Sequence, residues 1–93
     1  MKLETSFIAG HFIAFPQGNE YWWKDKEPKF IVKNRKLDYT LGEITFSPAQ
    51  KENGLLFDTL STALSYQTCM SIMCIFESIL GTYRDAQKEN RIK

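Results

Sequence analysis

Three turn signals, placed so that the segments between them agree on one buried face, constrain this chain more than any other feature. Pro16-Gln17-Gly18-Asn19 combines the residue types that supply unusual backbone dihedrals. Asp25-Lys26-Glu27-Pro28 marks a second turn, and Asn34-Arg35 a third, although glycine suits a two-residue hairpin better than arginine. With these turns joining consecutive antiparallel strands, Trp23 stands opposite Phe30, and Tyr21 opposite Val32. Val32 in turn stands opposite Leu37, and Phe30 opposite Tyr39. Side chains alternate along a strand, so all of these point to one inner face. The other face then carries Trp22, Lys24, Lys29, Ile31 and Lys33, with Glu20 across from Lys33 and with Ile13 and Phe15 beside Trp22 and Glu20.

Two irregularities belong to this reading. The first strand, from about Leu3 to Phe15, is apolar on both faces, which predicts a strand covered on both sides or a break near Gly10. Beyond Leu41 the alternation slips by one residue, from the parity of Leu37, Tyr39 and Leu41 to that of Ile44 and Phe46. Gly42 lies at the slip, so a bulge or bend is expected there.

The second half changes period. Ser47-Pro48 reads as a helix start, with Ser47 as the cap, and Asn53-Gly54 as the end of that short turn. From Leu55 to about Lys88 the pattern is helical, but its apolar stripe turns partway. Leu56, Leu60, Ala63 and Leu64 form one face; Cys69, Ile72, Phe76, Ile79, Leu80 and Tyr83 form another. Two helices broken near residues 65–68 account for the turn better than one long helix with two partners. The expected fold is therefore α+β: an antiparallel β-meander of three to four strands followed by two C-terminal helices packed on one face. It forms a single domain over residues 1–93, with strands at about 3–46, helices at about 48–88 and a charged, frayed tail at 89–93. An apolar fraction of 43% and a charged fraction of 25% are those of an ordered globular chain.

A net charge of +1 excludes a strong whole-molecule field as the basis of function. The segment opening Met1-Lys2-Leu3-Glu4 lacks the uninterrupted apolar core of a signal peptide, because Glu4 breaks it and Gly10, His11 and Pro16 come soon after. The uncharged stretch from Thr59 to Phe76 is long enough to cross a membrane except for Asp-free polar interruptions at Ser61, Thr62, Ser65, Gln67, Thr68 and Ser71, so it reads as a buried helical region. Cys69 and Cys74, five apart on a helix, do not face each other; they read as small buried hydrophobes in a reducing, cytoplasmic setting.

The residues nominate no chemistry. His11 is the sole histidine and stands in an apolar strand with no Cys, Ser or Asp near it in sequence, so no activated nucleophile is expected. One histidine, two poorly spaced cysteines and scattered carboxylates do not compose a metal site, and the isolated glycines form no phosphate loop. Glu77 reads as the polar side of the second helix, together with Ser78 and Gly81. The chain is thus expected to be no enzyme, to carry no cofactor and to bind another protein.

Two surfaces compete for that role. The run from Ile72 to Phe76 is apolar almost all round, more than a small sheet can cover, which predicts self-association or docking. With the outer sheet face this gives a candidate protein interface of Ile13, Phe15, Trp22, Ile31, Met70, Met73 and Cys74, suited to a small regulator or inhibitor that forms homo-oligomers. The alternative is nucleic-acid binding, with Trp22 as a stacking platform ringed by Lys24, Lys29, Lys33, Arg35 and Lys36. Lysines on an open strand face equally serve solubility and edge protection, which favours the protein-binding reading.

Overall fold

In a computed structural model, which describes residues 3–18, 20–47, 54–59 and 64–88, the chain is α+β. Five antiparallel strands lie side by side in chain order: β1 (Phe7–Ala9), β2 (Phe12–Pro16), β3 (Lys29–Asn34), β4 (Thr40–Ser47) and β5 (Gly54–Thr59). One helix, α1 (Tyr66–Lys88), covers one face of the sheet. The expected meander is present, with more strands than expected and a single described helix. The expected short helical turn at residues 48–53, Leu60 and Ala63 of the first helical stripe, and the tail at 89–93 lie outside the described residues.

The apolar first segment breaks at Gly10. There a tight hairpin joins β1 to β2, with Ile8 opposite Ile13 and Ala9 opposite Phe12. Gly10 has φ +58°, the left-handed conformation that glycine enters most readily, and a Cβ there would lie 2.8 Å from Ser71 Oγ. The helix therefore crosses directly over this turn.

The segment expected to pair as a strand before β3 does not do so. β2 pairs with β3 itself, Phe15 opposite Ile31 and Pro16 opposite Phe30. Between them residues 20–28 leave the sheet and include a single 3₁₀ turn, Trp22–Lys24. That turn directs both tryptophans inward, so the assignment of Trp22 to an outer face is wrong: Trp22 is 0% exposed and Trp23 7%. The Trp22 ring meets Phe7 of β1 (6.2 Å between centroids), Phe30 of β3 (5.2 Å), Phe46 of β4 (6.2 Å) and Tyr83 of α1 (6.2 Å). Its indole Nε1–H donates to the Glu4 carbonyl at 2.8 Å, so the one polar atom of the ring is satisfied in the core.

Leu37 and Tyr39, expected on the inner face, lie in the β3–β4 turn and are 70% and 45% exposed. Asn34 organises this turn. Its Oδ1 accepts from the backbone N–H groups of Lys36 and Leu37, both at 2.9 Å, and its N–H donates to the Tyr39 carbonyl, also at 2.9 Å. The slip in alternation falls where expected: Val32 pairs with Gly42 and Lys33 with Thr40, so Leu41 is the extra residue and both Leu41 and Gly42 are buried.

Leu55 and Leu56, expected to open a helix, are strand residues in β5. Leu55 and Phe57 turn toward the core while Leu56 turns out. The helix begins where the break was expected. Ser65 Oγ accepts from the Thr68 N–H at 3.2 Å, a side-chain cap on the first turn of α1. Ile72, Ile75, Ile79, Tyr83 and Ala86 form its buried stripe. Cys69 and Cys74, expected to be buried, are exposed free thiols.

Trp22→Ala should destabilise the fold by about 3–5 kcal/mol, a large part of a small domain's total stability of roughly 5–15 kcal/mol, as read from denaturant unfolding. At Gly42 a Cβ would lie 2.5 Å from the Asp58 carbonyl oxygen and 2.9 Å from the Phe57 ring. Gly42→Ala should therefore loosen the β4–β5 pairing and cost about 1–3 kcal/mol in the same measurement.

Candidate interaction surface

Because α1 covers one face, the alternation of every strand delivers a second set of side chains to the opposite face. The register stacks them in rows. Ile8, Ile13 and Lys33 lie side by side across β1, β2 and β3. Phe15, Ile31, Glu43 and Asp58 form a second row from β2 to β5, and Lys29, Thr45 and Leu56 a third from β3 to β5. Among the described residues no helix or strand lies on this face. Its apolar part, Ile8, Ile13, Phe15 and Ile31, occupies the β1–β3 side and is half-buried or exposed.

Charged groups border that part. Lys29 Nζ stands 4.0 Å from Glu43 Oε1, both side chains partly solvated, so the pair adds little to the stability of the fold. A shallow hollow of about 280 Å³ lies beside them, lined by Gln17, Ile31, Thr40, Gly42, Glu43 and Asp58.

The residues expected to form the interface divide among three places. Ile13, Phe15 and Ile31 come together on the open face. Trp22 does not join them, because it is in the core. Met70, Met73 and Cys74 are exposed on α1, on the other side of the molecule. Met70 and Met73 there continue a stripe from Tyr66, the three at helical spacing and 48%, 60% and 78% exposed respectively. Sequence reasoning missed Ile8 and Leu56. Strict alternation through the Gly10 hairpin assigns Ile8 to the open face, and the alternation of Leu55, Leu56 and Phe57 does the same for Leu56.

The lysine-ringed tryptophan platform does not exist, since no face of the Trp22 ring reaches solvent. Its intended cations also separate. Lys29 and Lys33 line the open face, while Arg35 and Lys36 occupy the turn after β3. Lys24 lies in the loop before β3, where Nζ sits 5.1 Å from the centre of the Tyr21 ring.

His11 is exposed in the β1–β2 turn, and its backbone carbonyl accepts from the Arg35 N–H at 2.7 Å, tying the two turns at that end of the sheet together. These turns and the start of α1 surround a hollow of about 520 Å³ lined by His11, Asn34, Tyr39, Thr68 and Ser71 among others. Among the described residues no group of three His, Cys, Asp or Glu side chains is placed to hold a metal ion, and no helix is long and apolar enough to cross a membrane.

Compared with protein families, with curated proteins and with solved structures, the chain finds no match.

With both tryptophans in the core, a short single-stranded oligonucleotide at physiological salt should leave the tryptophan fluorescence unquenched. Quenching on titration would show a ring available for stacking and contradict the burial of Trp22.

Proposed function

We propose that this chain is a non-catalytic protein-binding module, of the kind that serves as a small regulator or inhibitor, and that it self-associates. The observation that carries the reading is the open sheet face. Its apolar residues are neighbours in register, Ile8 beside Ile13 and Phe15 beside Ile31, and they are bordered by Lys29, Lys33, Glu43 and Asp58. An apolar centre within a polar, charged rim is the usual anatomy of a protein–protein interface. An antiparallel sheet tolerates one solvated face, but that face then normally carries polar residues at the alternate positions. Here β1, β2 and the middle of β3 carry isoleucine and phenylalanine at those positions. The exposed Tyr66, Met70 and Met73 stripe on α1 adds a second apolar surface, and methionine adapts its shape to different partners.

The double variant Ile13→Glu, Ile31→Lys tests this. Both side chains sit on the open face, so the unfolding midpoint should stay close to that of the parent. A protein captured by the parent chain from its native cell should bind the double variant about a hundredfold more weakly or worse, as expected when central interface anchors are lost. Capture that is undiminished by the double variant would refute the assignment of this face.

A further inference from the structure

Among the described residues β5 is an edge strand whose protection is limited to a single charge, Asp58. Sheets guard their edges with very short strands, lysine, proline or bulges. The opposite edge, β1, has only three residues. β5 has six, Gly54-Leu55-Leu56-Phe57-Asp58-Thr59, pairs with β4 without a register shift, and contains neither lysine nor proline. Among the described residues no strand lies against its outer side.

The ladder shows which backbone groups face outward. The Phe46 N–H donates to the Pro28 carbonyl at 2.9 Å, so Phe46 turns its backbone groups toward the β3 side. Backbone direction alternates along an antiparallel strand, so Thr45 turns toward β5 and bonds with Leu56, its register partner. Leu56 is thus engaged with β4, and its neighbours Leu55 and Phe57 direct their N–H and C=O groups to the outer edge.

We propose that two copies of this chain pair antiparallel through β5, about a two-fold axis at Leu56. This rests on the reading of the chain as a self-associating protein-binding module and names the surface used. In that register Leu55 of each copy meets Phe57 of the other in a hydrogen-bonded pair, which engages the outward backbone groups of both residues. Both side chains belong to the core-facing side, where they are only half-buried, so the apolar inner face continues from one sheet into the next. On the outer side, Leu56, 66% exposed, stands against Leu56 of the second copy at the close, non-hydrogen-bonded spacing.

Charge selects the same register. With the axis at Leu56, Asp58 stands opposite Gly54 of the second copy. An axis at Asp58 would set that carboxylate against its own copy, which is unfavourable. An axis at Phe57 would set it against an exposed leucine. A second copy therefore fits this edge, and the pairing is isologous: it closes at two copies and gives one continuous sheet with both helices on one side.

The test uses the full chain and the charge variants Leu56→Lys and Leu56→Glu, at a position exposed enough for either to fold. The parent should sediment as a dimer of the 10.8 kDa chain, with amide exchange at Leu55 and Phe57 slowing as concentration rises. Each variant alone places like charges across the axis and should weaken the dimer by more than about tenfold. An equimolar mixture of the two should re-form a dimer, because lysine then faces glutamate. A parent that stays monomeric with concentration-independent exchange at Leu55 and Phe57 overturns the β5 pairing. So does a dimer that both variants leave intact, or growth beyond two copies. Binding of another protein through Ile13 and Ile31 is measured separately and can survive any of these outcomes.

Discussion

The burial of one indole ring holds the rest of the molecule in place. Trp22 touches rings from β1, β3, β4 and α1, and its nitrogen bonds to the backbone ahead of β1. Its partners come from distant parts of the sequence and also meet in pairs, Phe7 with Phe30 and Phe46 with Tyr83. Phe7 and Phe30 meet the indole edge to face, which adds directional preference to the area buried. Phe46 and Tyr83 extend the cluster, 5.1 Å apart and nearly perpendicular. The segment at residues 20–28, which leaves the sheet to deliver this side chain, is therefore part of the core and not a mere connection.

A core built this way is one-sided. The ring cluster and the stripe of α1 occupy a single face of the sheet, and the chain has no second described helix to place on the other. Two kinds of surface remain open for different reasons. The outer face exposes side chains that alternation sends there, whereas the β5 edge exposes backbone groups that a meander leaves at its last strand. The first presents side chains and the second backbone groups, so the two surfaces differ in chemistry.

Much of this is legible in the residues, and the failures share a cause. The consecutive antiparallel order, the inward parity of Phe30 and Val32, the outward parity of Ile13, Phe15, Ile31, Lys29 and Lys33, and the irregularity at Gly42 all follow from local alternation. Trp22 and the β5 segment escape such a reading because the local pattern is ambiguous there. Tyr21-Trp22-Trp23 has strong strand propensity, yet its rings bury more surface by leaving the ladder, a case of tertiary packing overriding propensity. Leu56, Leu60 and Leu64 fall at helical spacing by coincidence, which conceals the period-two pattern of Leu55 and Phe57 beginning just after Gly54. The open face is half visible in the sequence, since alternation places Ile13, Phe15 and Ile31 on it but wrongly adds Trp22 and leaves out Ile8.

The order of elements along the chain carries a kinetic consequence. The last element, α1, packs over the first two strands, and Ser71 sits against the Gly10 turn. The strands themselves join only near neighbours, and such pairings close small loops at little entropic cost. The contact between helix and first hairpin instead spans most of the sequence. Chains dominated by distant contacts fold more slowly than those built from local ones. This molecule combines the two: β2 to β5 have the shorter closures, whereas the aromatic cluster is complete only once α1 supplies Tyr83. Without its helix the sheet would present apolar side chains on both faces, so the docking of α1 is the step that hides one of them.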